Sequence, residues 1–174
     1  IFKILKMKQN PKFNAAILII GNEILSGRTQ DTNTSTIAQW LNSIGVKVNE
    51  VRVIPDIEDT IIETVNYLRK VNNYVFTTGG IGPTHDDITA QSISKAFNLE
   101  YEIHKEAFKI LEAYYKVGEF NEGRQKMVWM PRKADLILNP TSGAPGFNIE
   151  NVFCLPGVPS ILKSMLGGLK NKIV

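Results

Sequence analysis

The sequence predicts an α/β fold in three layers: an α/β/α sandwich with helices on both faces of a mainly parallel sheet. Three observations carry this. The uninterrupted apolar run Ala15-Ala16-Ile17-Leu18-Ile19-Ile20 reads as a strand buried on both faces, because a strand with one wet face would be polar at every second position. Strand-like and helix-like segments then alternate in a βαβαβ order, which calls for crossover connections and a parallel sheet. Finally, 174 residues at 43% hydrophobic content are enough for one core and one domain, expected at 15–174 behind an N-terminal extension at 1–14.

The first strand stops at Gly21. Beyond a polar loop, Ile37, Trp40, Leu41 and Ile44 recur at helical spacing and Gly45 supplies a stop, which predicts an amphipathic helix. Val46-Lys47-Val48 and Val51-Arg52-Val53 alternate at period two, but the phase flips at Asn49-Glu50, so this strand is expected to carry a bulge or to be more exposed. It ends at Pro55-Asp56. Ile61, Val65 and Leu68 mark a helix within 57–71, and Tyr74-Val75-Phe76 a short buried strand. A helix is expected over 88–97, and another around Ala107, Ile110, Leu111 and Tyr114. Met127 to Met130, Leu136 to Leu138 and Asn151 to Leu155 read as short strands. Leu162, Met165, Leu166 and Leu169 give the apolar face of a closing helix.

Four unusual loops each follow a predicted strand: 21–31, 77–87, 139–146 and 156–159. In an open parallel sheet ligands bind at the carboxyl ends of strands, so these loops are expected on one rim. The richest is Thr77-Thr78-Gly79-Gly80-Ile81-Gly82-Pro83-Thr84-His85-Asp86-Asp87, a strand-to-helix turn that exposes backbone N–H groups to a phosphate. Glycine at 79, 80 and 82 allows positive φ and close approach, while Pro83 stiffens the turn. It is neither a P-loop nor a dinucleotide fingerprint, since GxxxxGK[ST] is absent and the third glycine of GxGxxG is missing. Two carboxylates beside a phosphate are repulsive unless a cation or proton separates them. Asp86 and Asp87 therefore either hold a divalent metal that bridges phosphates, or cap and charge the first turn of the next helix.

The other loops leave similar choices open. Asn22, Glu23, Ser26, Arg28, Asp31 and Asn33 are substrate-binding candidates, with helix capping by Asp31 or Thr32 as the competing account. Arg28 either meets a phosphate or is solvated. Asp56 is a catalytic candidate or a cap for the helix after it. Asn139 to Gly146, with Ser142, Gly143 and Pro145, is either a hairpin loop or a place where a ring or phosphate meets the backbone.

Several functions are excluded. A formal charge of +3, with one small lysine cluster at 3, 6, 8 and 12, is a poor footprint for nucleic acid. The aromatic residues sit at core spacing, so no stacking platform forms. No Ser-His-Asp set or CxxC is present, and His85 has no histidine partner at ligand spacing. The single Cys154 sits among Val152, Phe153 and Leu155 as a buried, inert thiol. The N-terminal residues alternate charge with apolar groups and lack the core of a signal peptide. A cytoplasmic protein is expected, with no membrane partner and with Met7 or an upstream residue as the start.

Six segments together carry a family resemblance. Gly21-Asn22-Glu23-Ile24-Leu25-Ser26-Gly27, Asp31-Thr32-Asn33, Pro55-Asp56, the Thr78 to Asp87 run, Ala144-Pro145-Gly146-Phe147 and Leu155-Pro156-Gly157-Val158-Pro159 resemble, in that order, the MoaB/Mog molybdopterin-binding domain family. The closest branch is the N-terminal domain of CinA-type competence/damage-inducible proteins, and the corresponding domain of FAD synthase is similar too. The resemblance covers 15–169. It implies a three-layer sandwich, a cytoplasmic homo-oligomer, and a nucleotide or pterin phosphate as ligand. Mog-type members adenylylate molybdopterin with ATP and magnesium, whereas CinA-type domains are associated with metal-dependent hydrolysis of ADP-ribose and the FAD synthase domain with hydrolysis of FAD. Asp56 and Asp87 match the acidic positions implicated in Mog-type chemistry, and Gly79, Gly80 and Gly82 match the phosphate loop. Substrate contacts are further expected from Gly21, Thr78, Pro83, Thr84, Thr89, Gly146, Pro156 and Gly157, and the metal, magnesium or cobalt, at Asp86 and Asp87. Ser142-Gly143 departs from the Gly-Thr pair common in CinA-type loops. Neither the amidase domain of full-length CinA nor the nucleotidyltransferase domain of FAD synthase has a counterpart in these residues, so neither activity is expected of them.

Overall fold

The computed structural model describes residues 12–173. Most of the expected N-terminal extension, with Lys3, Lys6, Lys8 and Met7, lies outside them. In chain order the elements are β1 (Phe13–Ile20), α1 (Asn22–Leu25), α2 (Asn33–Ser43), β2 (Val46–Ile54), α3 (Glu58–Val71), β3 (Tyr74–Thr78), α4 (Thr89–Ala96), β4 (Tyr101–Ile103), α5 (Lys105–Tyr114), α6 (Glu122–Gln125), β5 (Trp129–Pro131), β6 (Asp135–Ile137), β7 (Gly146–Ile149), β8 (Val152–Leu155) and α7 (Pro159–Leu166).

Six strands form one sheet in the order β2-β1-β3-β8-β7-β6, and β4 pairs with β5 in a small antiparallel ribbon. β1, β2, β3 and β8 run parallel, whereas β7 is antiparallel to both of its neighbours. The expected sandwich is therefore present. β1 shows why its sequence is unbroken apolar. Ala16, Leu18 and Ile20 point into one core with Ile61, Val65 and Leu68 of α3, while Ala15, Ile17 and Ile19 point into the other with Ile37 and Leu41 of α2 and Leu162 and Met165 of α7. Each layer of helices thus buries its stripe against alternate residues of the same strands.

The phase flip in β2 is a bulge. Ala15 pairs with Val48 but Ala16 with Glu50, so Asn49 is the extra residue and the side chains switch faces around it. Tyr114 departs from expectation: although it falls at core spacing, it is exposed, and the Gly143 backbone packs against its ring.

The strand order fixes where a ligand can enter. The chain passes from β1 outward to β2, then crosses to β3 on the other side of β1. Strand order reverses between β1 and β3, and the crevice beyond their carboxyl ends is the topological switch point where open α/β sheets bind ligands. β6 is parallel to β8, because both are antiparallel to β7. The loops after β1, β3, β6 and β8 therefore share that edge.

Candidate functional site

Gly79 brings the first two rim loops together. It has φ +94, and a Cβ there would lie far inside van der Waals contact with the Ile20 carbonyl oxygen. Only glycine lets the turn after β3 cross the end of β1 so closely. Gly80 follows with φ +72, and its carbonyl accepts from the Thr89 amide at 2.9 Å. Thr89, the first residue of α4, donates its hydroxyl to the Gly79 carbonyl at 3.0 Å. Gly82 differs from the expectation of positive φ: it is not among the left-handed glycines. Its small size is needed because a Cβ would sit 2.9 Å from Asp87 Oδ2.

Asp87 closes the turn from within. Its Oδ2 accepts from the Thr84 amide at 2.9 Å and from the Thr84 hydroxyl at 2.8 Å. No side chain caps α4, so neither Asp86 nor Asp87 has the capping role weighed for it. Asp86 projects into solvent, 81% exposed, 3.4 Å from His85. Lys126, which nothing in the sequence singled out, donates to the Thr84 carbonyl across the turn. Asp56 caps no helix either. Its Oδ2 accepts from the Asn22 amide at 3.3 Å, tying the β2–α3 loop to the loop after β1.

These connections assemble a cleft of about 390 Å³ lined by Glu23, Arg28, Asp56, Thr84, Asp86 and Asp87, with Asn22, Gly80 and His85 completing the wall. Four carboxylates face it. Burial raises the Asp56 carboxyl above its usual range, the Asn22 N–H opposes that, and the charges of Glu23, Asp87 and Asp86 raise it further. The turn offers phosphate-type backbone geometry and the cleft offers excess negative charge, a combination a phosphate tolerates only with a cation between. Among the described residues no three His, Cys, Asp or Glu side chains are gathered tightly enough to hold a metal ion by themselves. The donor set does not fit an all-protein cage. It fits a hard divalent cation held by one or two carboxylates, with phosphate oxygens and water as the remaining ligands.

The other expected residues separate by position. Asn33, Asp31, Thr78, Gly79 and Gly157 line a smaller adjoining pocket of about 50 Å³, which shares Glu23 with the cleft. Asp31 Oδ1 accepts from the amides of Asn33 and Thr34 at 2.9 and 3.2 Å, so its carboxylate secures the first turn of α2. Gly82 and Pro145 line a narrow recess on the far side of Asp87, beside Lys126. Ser26, Pro83, Ser142, Gly143, Gly146 and Pro156 line none of these three spaces. The 139–144 loop is organised internally, with Asn139 Oδ1 accepting from the Thr141 and Ser142 amides at 3.0 and 2.9 Å. Gly146 serves the sheet, since a Cβ there would meet the Cys154 carbonyl at 2.5 Å. Cys154 is fully buried and burial pushes its thiol up to about 12, which keeps it inert.

The family described as "Probable molybdopterin binding domain" matches residues 16–173. The chain belongs to that family. Its structure is similar to that of the protein CinA from Thermoplasma acidophilum, a protein described as having unknown function, with TM-score 0.85 and 32% identity over 92% of this chain and 99% of that one. MoaB from Thermus thermophilus, described as a molybdopterin biosynthesis enzyme, shares the fold at TM-score 0.60 and 16% identity, covering 92% and 91% of the two chains. A protein of Archaeoglobus fulgidus is 38% identical over 148 residues, 85% of this chain and 63% of its own length. One from Caldivirga maquilingensis is 39% identical over 158 residues, covering 87% and 62%. The chain thus spans about three-fifths of these curated relatives. Among the described residues no helix is long and apolar enough to cross a membrane.

Proposed function

We propose that this domain binds the phosphates of a nucleotide or pterin phosphate at the β1–β3 switch point and hydrolyses a dinucleotide pyrophosphate such as ADP-ribose. The observation that carries the reading is the convergence of Glu23, Asp56, Asp86 and Asp87 on one cleft beside the glycine turn. A magnesium or cobalt ion held by Asp86 and Asp87 would relieve the repulsion between carboxylates and phosphate and polarise a phosphoryl oxygen. The Gly79–Gly82 turn positions the phosphates. Arg28 on the cleft wall is the cation that faces their outer oxygens. Asp56 is oriented by the Asn22 amide and its carboxyl is raised by burial and then by the charges of its neighbours, which suits it to take a proton from the attacking water. Water oxygen joins one phosphorus, the bridging P–O bond breaks, and ADP-ribose yields AMP and ribose 5-phosphate.

The likeness to a CinA protein, 32% identical over nearly all of both chains, supports a CinA-type reading of the domain, and hydrolysis is what the resemblance of its motifs to that branch implies. The family description supports the alternative, Mog-type adenylylation of molybdopterin. Incubation with ADP-ribose, with FAD, and with ATP plus molybdopterin, each with magnesium or cobalt, separates the two. Release of AMP from ADP-ribose is the expected result. Ligand binding without turnover of any of the three would leave a binding module and sink both enzymatic readings.

A further inference from the structure

We propose that the outer edge of β2 is a dimer interface, pairing antiparallel with β2 of a second copy of this chain about a two-fold axis at Val51. The inference stands independently of the ligand that the cleft takes.

β2 is the outermost strand of the six-stranded sheet, and among the described residues its only strand partner is β1. Folded proteins blunt such edges by keeping them short, bulged or charged. β2 is nine residues long, and its bulge lies at Asn49, which leaves 50–54 in regular register. The Ile54 carbonyl accepts from the Gly21 amide at 3.1 Å, so it points toward β1. Backbone groups alternate sides along a strand, and the amides and carbonyls of Val51 and Val53 therefore point outward.

The side chains beside those groups are divided between the two faces. Val51 and Val53 pair with Ile17 and Ile19 and share the α2 face of the sheet, where they remain 42% and 37% exposed. Glu50 and Arg52 pair with Ala16 and Leu18 on the α3 face. There Arg52 Nε donates to Glu50 Oε2 at 3.0 Å, and its guanidinium lies 4.7 Å from the centre of the Tyr67 ring.

This pattern selects one register. A two-fold axis perpendicular to the sheet keeps like faces together, so residues opposite each other across it share a face. An axis at Glu50 or Arg52 sets that residue against its own charge. At Val53 it brings Glu50 opposite the partner subunit's Asp56, and at Ile54 it matches Val53 with a proline that has no amide to give. At Val51 it sets Arg52 opposite the partner subunit's Glu50, twice, and covers each Val51 with its copy. The two Val51 residues then exchange both backbone hydrogen bonds, as an antiparallel bonded pair does. The valines and the backbone supply the affinity, while the four charges reject the other registers, since exposed ion pairs add little but like charges in contact are costly. Both sheets become one continuous sheet. Its two halves run in opposite directions, so the two clefts open on opposite rims and stay free.

Sedimentation equilibrium across a concentration series tests this. The wild type is expected to approach twice the chain mass of 19.5 kDa. Arg52→Glu gathers four acids at the axis and Glu50→Arg four bases, and each should raise the dissociation constant at least about tenfold. An equimolar mixture of the two variants should pair as a heterodimer to within about threefold of the wild-type constant, because each chain then meets its opposite charges. That rescue also shows that both variants are folded, which a loss of dimer alone would not. A wild type that stays at 19.5 kDa at every concentration overturns the interface. An assembly that both substitutions leave intact overturns it too, by placing the contact elsewhere. Monomeric variants that do not pair when mixed overturn the axis at Val51.

Discussion

At the scale of single residues, Asp87 decides between chemistry and architecture. One of its oxygens, Oδ2, accepts both the amide and the hydroxyl of Thr84, and the same carboxylate faces Asp56 across the cleft. An asparagine oxygen can accept both Thr84 bonds, so Asp87→Asn keeps the turn and removes only the charge. If that charge serves the cation and the transition state, turnover of ADP-ribose should fall about 100-fold or more with affinity changed only a few-fold. A purely structural role would instead leave the rate unchanged and cost at most about 1 kcal/mol of stability, as two charge-assisted hydrogen bonds become neutral ones. Steady-state kinetics beside a urea denaturation curve separates the two, and a wild-type rate would end the catalytic assignment. Asp86 is a weaker anchor alone, being largely in water with an exposed histidine as neighbour, so its contribution comes only with a bound cation.

At the scale of elements, the end of β3 is held against the end of β1 by a glycine that cannot be replaced. Gly45 and Gly79 both have positive φ, but a Cβ at Gly45 meets nothing within 4 Å, whereas one at Gly79 runs into the Ile20 carbonyl. Gly45→Ala should therefore cost only the left-handed backbone, about 1–2 kcal/mol. Gly79→Ala should add the cost of parting β1 from β3 and lose about 3 kcal/mol or more. Chemical denaturation of the pair measures this, and equal losses would show that the strands yield without penalty. The same elements show what was legible in the sequence. Periodicity is local, so the doubly buried β1, the stripe of α3 and the bulge at Asn49 were all readable from neighbouring letters. β4 was not, since Tyr101–Ile103 is three residues long and owes its conformation to pairing with β5. Lys126 was invisible for a similar reason, its partner Thr84 being 42 positions away. Gly82 was read correctly as glycine-requiring but for the wrong cause, because the crowding comes from a side chain five residues on. Tyr114 kept helical spacing yet faces Gly143, a contact no single-helix pattern encodes.

At the scale of the whole molecule, the cleft stores an electrostatic cost that the fold carries until a cation or proton relieves it. Burial and then the neighbouring acids raise Asp56 above its ordinary 3.8. Between that value and the raised one, the folded chain holds a proton that the unfolded chain has released, so rising pH favours unfolding. The contribution is fully present below about pH 4 and is lost as pH climbs through the folded value. Asp56→Asn keeps an acceptor for the Asn22 amide and cannot acquire the charge. Its melting temperature should match or fall below that of wild type in the most acidic buffers and exceed it near neutrality. Magnesium should narrow the neutral-pH gap by stabilising the wild-type fold, since a ligand that binds only the folded state raises its melting temperature. Melting curves for both proteins across pH, with and without magnesium, test the two statements separately. Parallel pH profiles would mean that the carboxylates do not interact through the cleft. A wild-type melting temperature indifferent to magnesium at every pH would mean that their repulsion is relieved by protons alone, and the cation would then have to arrive with the substrate phosphates.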